Sequence, residues 1–243
     1  MKMIAFAKRC AKEILRDPLN IMFGLGFPVI LLFMLNAIQS NIPVDLFRIE
    51  KLAPGMAVFG LSFMTLFSAT LVAKDRESSF LQRLYTMPMK PLDFIWGYML
   101  PLVLIAAAQI TVCYAAAVII GMPVTINIFF AVLAAIPAML FNIALGLLCG
   151  SVFNVKQVGG ICGALLTNLS AWLSGVWFDL DLLGGVLGRI ANFLPFVHIV
   201  ELERAAIDGN FEEMQFDFFV VIIYTAVVVI GAVFAFLSKM KKQ

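Results

Sequence analysis

Two stretches of this chain, Leu52 to Ala73 and Phe94 to Ile120, contain no charged side chain. A helix of about 20 residues crosses the hydrocarbon core of a bilayer, so apolar runs of this length are read as membrane spans. Their continuity excludes a barrel, whose strands alternate lipid-facing and lumen-facing residues over about ten positions. The same criterion picks out Ile21–Ile38, Ile126–Gly150, Val158–Phe178 and Phe216–Leu237, giving six spans. With 63% of residues hydrophobic, 13% charged and a mean hydropathy of +1.02, no polar stretch is long enough to bury a soluble core of its own. Residues 1–243 therefore read as one all-α, polytopic transmembrane domain.

The charges fall between these spans. Residues 74–90, KDRESSFLQRLYTMPMK, make a charged island between the second and third spans. With the amino terminus in the cytoplasm, only Arg48, Lys51, Arg189 and Arg204 of the 17 basic residues lie outside. The excess of Lys and Arg on the inner side then places both termini and the island in the cytoplasm. Residues 1–17 are amphipathic: Met3, Ala7, Cys10 and Ile14 share one helical face, while Lys8, Lys12 and Arg16 share another. That pattern predicts a helix lying in the interface, apolar side in the acyl region and basic side toward anionic membrane lipids. Asp17 can cap a new helix and Pro18 can open it, turning the chain into the bilayer.

Inside the island, Asp75 and Glu77 suit the first turn of a short helix, where the dipole favours acids. Phe80 and Leu84 form an apolar ridge at i and i+4, Arg76 and Arg83 lie seven apart on one face, and Pro88 and Pro91 end the element. In the second span Phe59, Phe63 and Phe67 recur every four residues, while Ser62, Thr65 and Ala69 make a small, polar face suited to helix packing. Residues 179–215 are too polar to span and too apolar for a free linker. Their ridge of Leu182, Leu183, Val186, Leu187 and Ile190 predicts one short helix, and the stretch from Pro195 to Ala206 a second, with Glu201, Glu203 and Arg204 at the outer surface.

Several function classes find no support. No Asp, Glu, Lys, Arg or His lies in the middle of a span, as proton-driven carriers and voltage sensors commonly require. There is no phosphate-binding loop, no serine nucleophile elbow and no zinc-protease helix, so the chain is not read as an enzyme. Cys10, Cys113, Cys149 and Cys162 are scattered and have no histidine at ligand spacing, so no metal site is predicted. Energy must come from outside the chain, or the chain works passively.

The run from Leu52 to Leu100, LAPGMAVFG…KDRESSFLQRLYTMPMKPLDFIWGYML, resembles the signature of type-2 ABC exporter permeases, in which an "aPG" helix leads to a charged "dRE…f…rl…tP" segment. The run LSGVWFDLD…LPFVHIVELERAAIDGN resembles the drug-resistance and nodulation-export branch of that family, matching at Ser174, Gly175, Pro195, His198, Arg204 and Gly209. The resemblance spans nearly the whole chain. It implies that 74–90 is a coupling segment that docks on a separate ATP-binding subunit and pairs its charges with the amphipathic helix. Asp75, Arg76, Glu77, Phe80, Arg83 and Leu84 would carry that contact, Arg76 and Glu77 foremost. Residues 179–215 would be re-entrant helices in the outer leaflet, with Pro195, His198 and Arg204 their marked positions. His198 is read as a hydrogen-bonding residue beside Pro195 rather than a gate. The second and fifth spans would line a substrate path near a dimer axis, with Phe59, Phe63, Phe67, Asn168 and Ser174 as candidates.

The resemblance further implies a permease dimer of identical or paralogous chains in a bacterial plasma membrane, served by two ATP-binding subunits that hold the ATP and magnesium. The permease itself would bind no cofactor and no nucleic acid. Aromatic, uncharged spans lean toward a lipophilic drug, hydrophobic peptide or lipid as cargo, with polysaccharide export also found in the family. The competing classes are an ion-coupled secondary transporter and a non-transporting immunity or sensor subunit.

Overall fold

The computed structural model describes residues 2–43, 47–78, 91–177, 180 and 184–240, and among these it is helical throughout, with no strand. The elements are α1 (Lys2–Arg16), α2 (Pro18–Gln39), α3 (Ile49–Glu77), α4 (Pro91–Ile120), α5 (Asn127–Val152), α6 (155–172), α7 (Gly185–Phe193), α8 (Pro195–Asp208) and α9 (Phe211–Met240). Five helices are long and apolar enough to cross a membrane: α2, α3, α5, α9 and Asp93–Ile120 of α4. The pair α7 and α8, bent by 71°, is a broken span or a re-entrant loop, matching the two short helices expected there.

Punctuation in the sequence explains most boundaries. Asp17 accepts a hydrogen bond from the Leu19 N–H at 3.0 Å, and Pro18 opens α2, where its missing N–H costs nothing. Pro28 removes the hydrogen bond to Gly24, and just before it α2 widens into a π turn over Met22–Gly26. In α5 the ladder is interrupted at Ala135, two residues before Pro137. Gly209 closes α8 in the left-handed conformation at φ 73°, which only glycine adopts without cost.

The core is built around α3, which packs against α5, α4, α8 and α2. Gly146 and Gly150 of α5 face the backbone of α3 so closely that a Cβ on either would strike the carbonyl of Thr65 or Ala69. Small residues four apart let helices approach in a medium where apolar burial gives little driving force. Thr65 and Ser68 use that proximity, donating to the carbonyls of Asn142 and Ile143, both at 2.9 Å. The small face predicted for this span is therefore the α5 contact.

Four expectations are revised. First, α3 does not stop at Ala73: it continues through Glu77, so Asp75 and Glu77 lie in its last turn and not in the first turn of a separate helix. Second, the fifth span is shorter than Val158–Phe178. Its helix covers 155–172, with a π-helical run over Gly159–Leu166, and turns at Leu173–Gly175. Third, the apolar face of α1 does not lie open to lipid. Phe6, Ala7, Cys10 and Ile14 are buried, and the Phe6 ring packs on Phe94 and Tyr98 of α4. Fourth, Glu203 is not at the outer surface. It is fully buried, and the Tyr114 hydroxyl donates to it at 2.6 Å.

Candidate functional site: the charged end of α3

Asp75, Arg76 and Glu77 are consecutive, so on a helix their side chains leave the axis about 100° apart. Each reaches a different neighbour. The Asp75 carboxylate is buried and accepts two hydrogen bonds from Arg9 of α1, at 2.5 and 2.6 Å, and a third from the Tyr98 hydroxyl of α4 at 2.8 Å. A two-pronged guanidinium–carboxylate pair is the strongest geometry available to these groups. It is needed here, because the negative end of the α3 dipole opposes a carboxylate in the last turn. Arg9 also pairs with Glu13 at 2.8 Å. Burial works against the charged guanidinium, but the hydrogen bonds and field of Asp75 outweigh it and hold the Arg9 pKa above its ordinary value. The neighbouring Cys10 thiol is pushed up to about 12 by burial.

Arg76 turns toward α5. Its guanidinium donates to the carbonyls of Gly150 at 2.7 Å and Phe153 at 3.2 Å, satisfying acceptors that the end of α5 leaves without intrahelical partners. Glu77 turns toward α6 and accepts the Val155 N–H at 2.9 Å, one of the free donors at that helix start. Asn154 and Gln157 complete the start of α6 with a reciprocal capping box. One turn of α3 thus holds α1, α4, α5 and α6 at the same end of the bundle. Phe80, Arg83 and Leu84, the remaining candidates for the coupling contact, lie outside the described residues.

The candidate path residues do not share one surface. Phe59, Phe63 and Phe67 are buried within the protomer; the rings of Phe59 and Phe63 pack against Phe23, Phe27 and Trp177 and against each other, and the Phe67 ring lies against Gly24 of α2. Ser174 is buried and lines a narrow cleft with Phe59, Ser62, Asn142 and Ser170. Asn168 lies instead on the exposed face of α6, in an open depression of about 440 Å³ between Gly160, Ala164 and Trp172. There its amide donates to the Ala164 carbonyl at 2.7 Å.

At the opposite end, each marked position has a structural task. Pro195 opens α8, and Gly175, at φ 75°, turns the chain after α6. Arg204 donates to the Gly175 carbonyl at 2.8 Å and pairs with Glu201 at 2.7 Å, so two motif positions 29 apart meet. His198 bridges Asp217 of α9 and the Asn192 carbonyl of α7.

Sequence reasoning missed the α3 partners on α4 and at the α5–α6 junction. Arg9 was one basic residue among five, with only the Glu13 spacing to set it apart. The glycine pair Gly146 and Gly150, four apart in an apolar run, was a visible signal of close helix approach.

A bundle of helices, five of them long and apolar enough to cross a bilayer, defines a multi-pass membrane domain. The sequence matches the ABC-2 type transporter family over residues 1–207, and the chain belongs to that family. It is the transmembrane permease part of an ABC transporter, whose ATPase activity lies in a separate ATP-binding cassette subunit. No curated protein matches the chain.

Proposed function

We propose that this chain is the permease of an exporter, acting as a dimer with two ATP-binding subunits. The cargo is a lipophilic drug, hydrophobic peptide or lipid-like molecule, moved out across a bacterial plasma membrane. The observation that carries the reading is the three-way grip of Asp75, Arg76 and Glu77. Residues 79–90 follow this turn in the sequence, so force delivered to them by an ATP-binding subunit would enter α3 and pass through Arg76 and Glu77 to the α5–α6 junction. On this reading Arg76 and Glu77 couple from inside the permease, handing motion to α6, whose exposed face carries Asn168. The cargo class is supported by aromatic side chains along uncharged spans, which offer apolar contact and no fixed charge.

The test is reconstitution of the permease with its ATP-binding subunit in vesicles. Export should require ATP and survive collapse of ion gradients. The double variant Arg76→Ala, Glu77→Gln should still co-purify with the ATP-binding subunit yet lose export by on the order of tenfold, the equivalent of about 1.4 kcal/mol of transmitted energy. Export driven by an ion gradient without ATP would overturn the reading. So would full export by the double variant.

A further inference from the structure

Burial of the apolar face of α1 against the bundle leaves its back open, and that back carries a pattern of its own. Side chains advance by about 100° per residue around a helix, so Lys8, Lys12 and Arg16 step round the side opposite Phe6, Ala7, Cys10 and Ile14. All three cations are exposed. They border an open depression of about 590 Å³, whose other walls are Ala5, Arg9, Glu13 and Asp17. Its two acids are already engaged: Glu13 pairs with Arg9, and Asp17 caps α2. Arg9 itself is held by Asp75. Among the described residues no ion pair or hydrogen bond engages Lys8, Lys12 or Arg16. Three cations thus share one face, and no described acid answers them.

The place of α1 indicates which anion would. The helix lies across one end of the bundle. Phe6 packs on Phe94 and Tyr98 near the start of α4, while Glu13, Ile14 and Asp17 border a cleft with Phe67, Leu71 and Lys74 near the end of α3. The spans α2 and α4 begin at this level and α3 ends there, so α1 sits where hydrocarbon gives way to headgroups. On one flank of the cations lie Ile4 and Leu15, both exposed. Beyond Asp17 the exposed apolar surface continues through Leu19, Ile21 and Met22 of α2. An acidic protein surface would answer the charges but not this apolar flank. A phospholipid answers both, with its phosphate among the cations and its acyl chains along the flank.

We propose that the outer face of α1 is a binding site for anionic phospholipid, with Lys8, Lys12 and Arg16 meeting the headgroup and Ile4 and Leu15 the acyl chains. The main apolar arc of α1, which the sequence pattern pointed toward lipid, is turned to α4 instead, and lipid contact falls to the opposite side. The site does not depend on the cargo or on the direction of transport. It leaves α1 held from two sides, by Asp75 through Arg9 within the protein and by headgroups outside it. Lipid charge therefore acts on the same helix that grips the charged turn of α3.

Native mass spectrometry of the intact protein, taken from nanodiscs of equal parts phosphatidylglycerol and phosphatidylcholine, counts the lipids it keeps. The unmodified protein should keep phosphatidylglycerol in preference, and that preference should fall as salt rises. A cation near an anionic surface is worth about fivefold, so the triple variant Lys8→Gln, Lys12→Gln, Arg16→Gln should lower the preference by on the order of tenfold or more. Lys8→Arg, Lys12→Arg, Arg16→Lys should restore it. Arg189→Gln, which removes an exposed cation on α7, should leave it unchanged. Equal retention of the two lipids by the unmodified protein, or a preference indifferent to salt, overturns the proposal without any variant having to fold. A triple variant with its preference intact overturns it as well. If that variant also fails to co-purify with the ATP-binding subunit, the face is a protein-docking surface instead.

Discussion

The Arg9–Asp75 pair invites a quantitative test, because the structure separates its parts. Asp75 is almost fully buried, while Arg9 keeps 35% of its side-chain exposure and a second partner in Glu13. Replacing Asp75 with Ala removes two charge-assisted bonds and leaves the buried Tyr98 hydroxyl without its acceptor. An unmet buried hydroxyl costs about 1–3 kcal/mol, and breaking a buried ion pair from one side costs about 3–5 kcal/mol. The residual exposure of Arg9 places the total near the lower figure, about 3 kcal/mol. Asp75→Asn keeps one acceptor oxygen but turns an N–H toward Arg9, so it should cost about 2 kcal/mol. In a chain of this size 1 kcal/mol moves the melting temperature by about 2–4 °C, so Asp75→Ala should melt about 6–12 °C lower. Arg9→Ala should behave similarly, since it strands a carboxylate at the unfavourable end of a helix. The double variant should recover part of the loss, with a coupling energy of about 2 kcal/mol. Thermal unfolding in nanodiscs, followed by tryptophan fluorescence, reads all four proteins. A shift below about 2 °C for Asp75→Ala, or strict additivity in the double variant, would refute the claim that this pair holds α1 to the bundle.

Two further outcomes follow from burial alone. Gly146→Ala should destabilise by about 1–3 kcal/mol through collision with the Thr65 carbonyl, whereas Gly231→Ala, which meets open space in α9, should be neutral or slightly stabilising in the same melt. With its thiol buried and pushed up to about 12, Cys10 should resist N-ethylmaleimide from pH 6 to pH 9 in the folded protein and label after denaturation, as read by intact mass.

Hydropathy made the spans legible, and Asp17, Pro18, Pro195 and Gly209 marked helix starts and stops. These features are local, and local chemistry decides them. The continuation of α3 through Lys74–Glu77 was hidden because charge ends a hydropathy run without ending a helix: nothing at Ala73 breaks the backbone. Which way Asp75 pointed depended on Arg9, 66 positions away, and on Tyr98, and no spacing rule connects them. Phe59, Phe63 and Phe67 repeat as a stripe whether they meet lipid, cargo or neighbouring helices, and spacing alone does not reveal that Phe59 and Phe63 pack on Phe27 of α2. Glu203 looked like one more outer charge beside Glu201 and Arg204. Its position on the inward face of α8 set its burial.

The π-helical run in α6 carries a geometric consequence. Such a run holds one residue more than the α ladder accommodates, and here Gly159, Gly160 and Gly163 fall within it while the Thr167 side-chain hydroxyl donates to the Cys162 carbonyl at 2.8 Å. Each residue of an α-helix advances the side-chain direction by about 100°. If the surplus residue were taken up into α geometry, everything beyond Leu166 would swivel by about that angle. The start of α6 would stay where Glu77 pins it at Val155. Asn168 and Trp172 would then face a different neighbour with no hydrogen bond at the charged end undone, so the π run sets where the open face of α6 points independently of how its start is held.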